Sequence, residues 1–361
     1  PIKSSAASDV YKRQSTDIAL EFGLFDRLTG TIEYFKKDSK DLLFDVSQPA
    51  SVGVTSIIQN IGKVTNSGVE IELDYNAFKN KDWSVSVGAN ATFVKNKIKN
   101  LPATMKENGY ISGSKKWLEG KSIYEFWLRQ WHGVDPQTGD GLYVADVSKY
   151  NQGNIGTGDG NITQSQFDEY KKTVVTIDGK ELTNSYTYAK YDFSGSSIPD
   201  VYGGFNVRVS YKNFDLAAVF SYQLGGQILD TNYATMMSMT EFGYAQSPDL
   251  LKAWKQAGDI TEVPRIDNSA AHTTNIGQSY STRWLTSSDY LNLRSVTIGY
   301  QLPKTWLSKV MLKSARLNLT AENLFMLKAR QGLNPMANYS GVTYNEYMPS
   351  RNITLGLNVS F

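Results

Sequence analysis

The chain has 361 residues, 37 basic and 35 acidic, and no cysteine. Near-neutral charge excludes a general nucleic-acid binder, which carries a basic surplus on one face. The missing thiols exclude a disulfide framework and thiol chemistry. Aromatic content is 12% while mean hydropathy is −0.37, and no run of about 18 apolar residues offers a membrane helix. Negative hydropathy does not exclude a membrane β-barrel, where half of each strand and every loop is polar.

Residues 1–14 show neither strand nor helix period and lack the apolar core of a signal peptide. They are read as an unstructured, foreign or mis-joined segment, leaving 15–361 as one domain. Ile18, Leu20, Phe22 and Leu24 then alternate over 17–25, and Ile32 and Tyr34 continue the pattern over 29–37, predicting a hairpin. Residues 39–67 read as long and irregular. In 68–76, Val69, Ile71, Leu73 and Tyr75 face one way and Glu70, Glu72 and Asp74 the other. Three carboxylates on one strand face need water, which a barrel lumen supplies.

After a turn at 78–82, Trp83, Val85, Val87, Ala89, Ala91 and Phe93 alternate with small polar residues. That strand is long enough to cross a bilayer at a tilt, where roughly 9–11 residues suffice. Residues 96–200 form an excursion of weak periodicity, with an aromatic knot at Tyr124, Phe126, Trp127 and Trp131. Strands follow at 201–211 and 214–223, joined by Lys212-Asn213. A long connection over 224–289 holds a short helix predicted within 247–257. Strands at 290–301 and 315–323 flank a turn, and 324–350 leads to the last strand, 352–361.

That last strand alternates strictly. Ile353, Leu355, Leu357, Val359 and Phe361 are apolar, while Thr354, Gly356, Asn358 and Ser360 are small or polar. An exposed apolar row closed by Phe361 is a liability in a soluble β-sandwich. It is expected where lipid is the solvent on that face and aromatics ring the interface.

Connection lengths alternate: short at 26–28, 77–82, 212–213 and 302–314, long at 39–67, 96–200, 224–289 and 324–350. Short turns on one side and long loops on the other are the habit of outer-membrane barrels. An odd, open set of nine strands would leave two lipid-facing edges, so the chain is expected to be part of a larger barrel. The fold class is therefore all-β: an antiparallel transmembrane barrel portion with long extracellular loops.

The chain also resembles a known family, the SusC/RagA-type TonB-dependent outer-membrane transporters of glycan- and peptide-foraging bacteria. The resemblance runs from about Thr16 to Phe361. It rests on Asn60-Ile61-Gly62 with Asn66-Ser67-Gly68-Val69-Glu70, and on Ile198-Pro199-Asp200 with Tyr202-Gly203-Gly204-Phe205. Tyr290-Leu291-Asn292-Leu293-Arg294, Ala321-Glu322-Asn323-Leu324-Phe325, Gly332-Leu333-Asn334-Pro335 and terminal Phe361 complete it. It implies a plugged barrel of about 22 strands, of which this chain supplies roughly strands 14 to 22. No signal peptide, TonB box, plug or first strands are present, so a C-terminal fragment is expected.

Candidate chemistry is sparse. His132 and His272 lie in loops without partners at a catalytic spacing and read as surface histidines. Asp159 and Asn161 suggest a calcium loop, but Ile155 and Gln166 occupy its first and twelfth positions, so no metal is expected. No catalytic residue and no cofactor is assigned. Glu70, Glu72 and Asp74 read as a wet lumen wall. Among the loop aromatics, Tyr124, Trp127, Trp131, Tyr233 and Phe242 could stack on sugar rings or pack inside the loops. Trp127, Trp131 and Tyr233 are the substrate or partner candidates, and Met236, Met237 and Met239 form a soft apolar patch.

The resemblance implies an importer whose oligosaccharide or peptide substrate binds outside, under a SusD-like lipoprotein lid. TonB acts through the missing N-terminal part, outer-membrane lipid surrounds the barrel, and Phe361 is its signal to the barrel-assembly machinery. The rival reading is a soluble β-sandwich adhesin or carbohydrate-binding module. A barrel enzyme would need an acid/base or nucleophile set on adjacent strand ends, and none is found.

Overall fold

The alternating stretches pair, in chain order, into one antiparallel sheet. A computed structural model describes residues 12–47 and 56–361, apart from 159, 240–242, 244, 278, 279 and 309–311. The sheet runs β1 (Lys12–Leu24), β2 (Leu28–Ser47), β3 (Ser56–Lys79), β4 (Trp83–Asn100), β5 (Val201–Tyr211), β6 (Phe214–Leu224), β7 (Tyr290–Gln301), β8 (Ser314–Glu322) and β9 (Asn352–Ser360). A short tenth strand, Met326–Lys328, pairs with the start of β7. Among the described residues, β1 and β9 each pair on one side only. Hydrocarbon does not tolerate open edges, so further strands must close the cylinder.

Register sorts the side chains, because directly paired residues share a face. One row reads Leu20, Ile32, Ile71, Ala91, Gly203, Tyr222, Leu291 and Leu327 from β1 to the short strand. Another reads Val85, Val209, Leu216, Ile298, Leu319 and Leu355. On the opposite face, Thr31, Glu72, Asn90, Gly204, Ser221 and Asn292 form one row. Val69, Leu73, Val87, Val207, Leu357 and Val359 join the apolar face, and Glu70, Asp74, Ser86, Asn206 and Asn358 the polar one.

Among the described residues no second sheet covers the apolar side: Ile353 is 72% and Leu355 69% exposed. That overturns the sandwich reading, since a sandwich must bury this face. Two aromatic rows border the apolar band. Trp83, Tyr211, Phe214 and Tyr300 mark the short-turn end, with ring centroids 4.3 Å apart for Trp83–Tyr211 and 4.4 Å for Phe214–Tyr300. Tyr34 and Phe93 flank Val69 at the other end. Phe93 follows Trp83 on β4 by ten residues. At ~3.3 Å per residue and a tilt near 40° this gives a band about 25 Å tall.

Several expectations need correction. Lys12, Arg13 and Gln14 belong to β1, whereas 1–11 lie outside the described residues. The stretch 39–67 is mostly a ribbon, in which β2 and β3 stay paired out to Ser47 and Ser56. Alternation fades there because no apolar solvent acts on either face. The excursion after β4 is folded, with two four-stranded sheets and one helix, α1 (Gln164–Thr173). Its strands are too short to show a period. The helix predicted within 247–257 shrinks to a 3-10 turn at Pro248–Lys252, capped by the Ser247 side chain.

Candidate functional site

Three long connections, those after β4, β6 and β8, leave one end of the sheet and fold into a common cap. Its main cluster takes Phe126 and Leu128 from the first connection and Leu229, Ala234, Met237 and Trp284 from the second. The third contributes Val342. Apolar groups spread over three segments are buried only if the segments close on each other, so the cap is one unit.

An ionic lock reinforces it. Asp230 is buried and caps helix α2 (Thr231–Met236) by accepting from the Tyr233 backbone N–H at 2.9 Å. Thr343 Oγ1 donates to the same oxygen, Oδ1, at 3.2 Å, and the other oxygen, Oδ2, accepts from Arg330. The Arg330 guanidinium also lies 3.5 Å over the Tyr233 ring. One carboxylate thus ties the second connection to the third.

Trp127, Trp131 and Tyr233 fall at different places in this cap. Trp127 stacks on Tyr191 and meets Phe193 edge-on, with Lys116 Nζ 4.0 Å from its ring. Trp131 meets Tyr143 edge-on at 5.1 Å and carries Arg283 4.7 Å over its ring. Tyr233 packs against Trp284 and donates its hydroxyl to Asp249 at 2.8 Å. Burial first, and the Asp249 carboxylate second, push that phenol above its usual range. All three are half-buried. Phe242 lies outside the described residues. Met237 is core while Met236 is exposed, so the three methionines do not form one surface patch.

His272 is no surface histidine. It sits buried on helix α3 (Ala270–Ile276), with Nε2 2.8 Å from the Arg265 carbonyl and Nδ1 3.8 Å from Asp140. Asp140, Arg265 and Asn275 join it around a cavity of about 490 Å³. His132 is exposed. Gln166 works as half of the capping box of α1, its Oε1 accepting from Thr163 N at 2.8 Å. Asp159 lies outside the described residues.

Lys115 had no sequence signal. It is buried, donates from Nζ to the Tyr124 carbonyl at 2.9 Å and lies 3.1 Å over the Phe126 ring. Burial pulls its ammonium down to about 7. Only the fold reveals this, because a lysine beside aromatics is ordinary on a surface.

Phe361 ends the chain just beyond β9, 78% exposed. The strand's alternation places it with Leu357 and Val359.

Comparisons agree with this architecture. Residues 11–156 match the family model described as TonB dependent receptor-like, beta-barrel. TonB-dependent receptor P3 of Formosa agariphila is 29% identical over 96% of this chain and 34% of its own length. SusC of Bacteroides thetaiotaomicron is 24% identical over 97% of this chain and 32% of its own. The RagAB peptide importer in its 'closed-closed' state aligns at 25% identity and a TM-score of 0.75, over 97% of this chain and 35% of that one. The chain thus spans about a third of the length of the relatives it matches. Family match, relatives and fold all bear out the resemblance: this chain is similar, along nearly its whole length, to a stretch of the outer-membrane β-barrel of SusC/RagA-type TonB-dependent receptors.

Proposed function

We propose that the chain supplies barrel wall and outer cap to a TonB-dependent active importer of glycans or peptides, working under a SusD-like lipoprotein lid. The observation that carries this reading is the shared core of the three long connections, Phe126 and Leu128 against Leu229, Trp284 and Val342. It gives a rigid platform at one end of a sheet with a wet polar face, which is what a substrate-receiving mouth requires. Trp127, Trp131 and Tyr233 offer flat faces for sugar rings or peptide side chains. No bond-making step enters, and the energy would come through TonB acting on the part of the protein beyond this chain.

The test is made in the full-length parent. Replacing 225–289 by a short linker should abolish both lid co-purification and growth on the transported glycan or peptide. The heat-modifiable barrel band should remain. If uptake and co-purification both persist, this cap is scaffold and the reading fails.

A further inference from the structure

On the apolar face of the sheet, the rows beyond the Tyr34–Val69–Phe93 border change character abruptly. The next row is Thr16, Lys36, Ser67 and Lys95, and the one after it is Gln14, Asp38, Thr65 and Lys97. Lys63 joins them, 3.6 Å from Asp38. A cavity of about 690 Å³ opens here, lined by Tyr34, Val69 and Phe93 below and by Lys95, Lys97 and Lys121 above. The site spans two solvents: its floor continues the lipid face, and its rim begins one residue pair past the 25 Å band, at headgroup depth.

Counter-charge is short. Asp38 is shared by Lys36 at 3.9 Å and Lys63 at 3.6 Å and also accepts from Thr65 Oγ1 at 2.6 Å. Lys121 lies over the Phe193 ring at 4.7 Å. Lys95 and Lys97 make no ion pair among the described residues and are exposed. Glu125 and Asp200 stand on the cavity's cap side. Lysines raised on one strand face at this depth, with an aromatic floor beneath, fit a ligand that is anionic at its head and apolar below it.

We propose that this basic collar binds the phosphate groups of an anionic outer-leaflet lipid, whose acyl chains lie along Tyr34, Val69 and Phe93. Charge complementarity fixes the head, since polybasic patches at membrane surfaces recruit anionic lipids. Continuity with the apolar band fixes the tails. The collar belongs to β2–β4 and the adjoining cap. The lipid-facing groove farther along the sheet, at Phe205, Tyr222, Leu291 and Leu327, has Lys328 as the one basic residue of its lining among the described residues. That lysine is engaged by the Leu333 carbonyl at 2.7 Å.

The experiment uses the full-length parent in nanodiscs of phosphatidylethanolamine doped with a diphosphoryl lipid A, with retained lipid read by native mass spectrometry. K36Q/K95Q/K97Q should retain the diphosphoryl lipid about a hundredfold less, from the roughly fivefold worth of each lysine near an anionic surface. K36R/K95R/K97R should keep it. K149Q/K171Q/K180Q, which removes equal charge elsewhere on the cap, should also keep it. The heat-modifiable band reports folding, and if the triple variant fails it, K97Q alone should show a loss of about fivefold. Equal retention by wild type and the glutamine variants would overturn the proposal. So would equal retention of phosphatidylethanolamine, or full displacement by inorganic phosphate, which would mark a site for free anions.

Discussion

Arg316 on β8 donates from Nη2 to Asp215 on β6 at 2.6 Å, reaching across the intervening strand β7 at Gly299. Gly299 pairs with Asp215 on one side and Asn318 on the other. A Cβ added there would collide with both the guanidinium and the carboxylate. The glycine is required by this close approach, since the bridge occupies the space a side chain would need. Three strands are thereby fastened on the polar face near the short-turn end.

Replacing Gly299 by valine should therefore destabilise the barrel by about 1–3 kcal/mol, the usual penalty for overfilling a packed site. Arg316→Gln should lose less, about 1 kcal/mol or under, because both partners are partly exposed. Denaturant unfolding of the full-length parent in detergent checks the order. A larger effect for Arg316→Gln would show that the clash is not what matters at Gly299.

The two faces of β3 should respond oppositely to charge. Leu73→Arg places a cation inside the apolar band and should cost about 2–4 kcal/mol. Glu72→Arg, on the wet face one residue away, should change folded yield little. Heat-modifiable barrel in outer-membrane fractions reads the difference, and equal behaviour of the two variants would contradict the assigned faces.

Phe361→Asp should lower the assembled fraction of the parent, because it puts a carboxylate in the row that the apolar residues of β9 present to lipid. Pulse-chase assembly kinetics in cells would reveal a slowed or aborted insertion. Wild-type kinetics would remove Phe361 from the assembly signal.

Asp230→Ala should loosen the cap without touching the sheet. It removes the cap of α2 and leaves Arg330 without its buried partner, a change worth about 3–5 kcal/mol when one member of a buried pair is deleted. Hydrogen exchange should rise over 231–237 and 340–343 while β5 and β6 stay protected. Uniform protection in the cap would mean that the hydrophobic cluster alone suffices.

Lys115 gives the cap a pH dependence whose sign follows from its depressed value of about 7 against 10.5 when unfolded. Below pH 7 both states hold the proton, and the desolvation cost of the buried ammonium is fully present. Between about 7 and 10.5 the unfolded chain binds more protons, so cap stability rises with pH, by up to about 5 kcal/mol across that window. The difference in local unfolding free energy between wild type and Lys115→Met should carry this slope. A flat difference would show the ammonium to be solvated.

The sequence by itself determined the transmembrane sheet. In β3, β4 and β9 each residue meets one of two solvents, lipid or water, and a period of two records that directly, as Ile71 against Glu72 and Leu355 against Thr354 show. Connection lengths carried the sidedness for the same reason, since only one side of the membrane leaves room for large loops. The cap followed no such rule. Phe126, Trp284 and Val342 are buried against partners scores of residues away, and short strands such as Glu125–Arg129 present no repeat to read. His272 and Met237 looked like surface residues, and Lys115 gave no signal, because nothing local says which segment will cover them. The lysine rows of β2 and β4 were visible as letters, but their alignment with Tyr34 and Phe93 came only from the register. Local chemistry fixes what a strand faces, while the pairing of distant segments decides which charges meet.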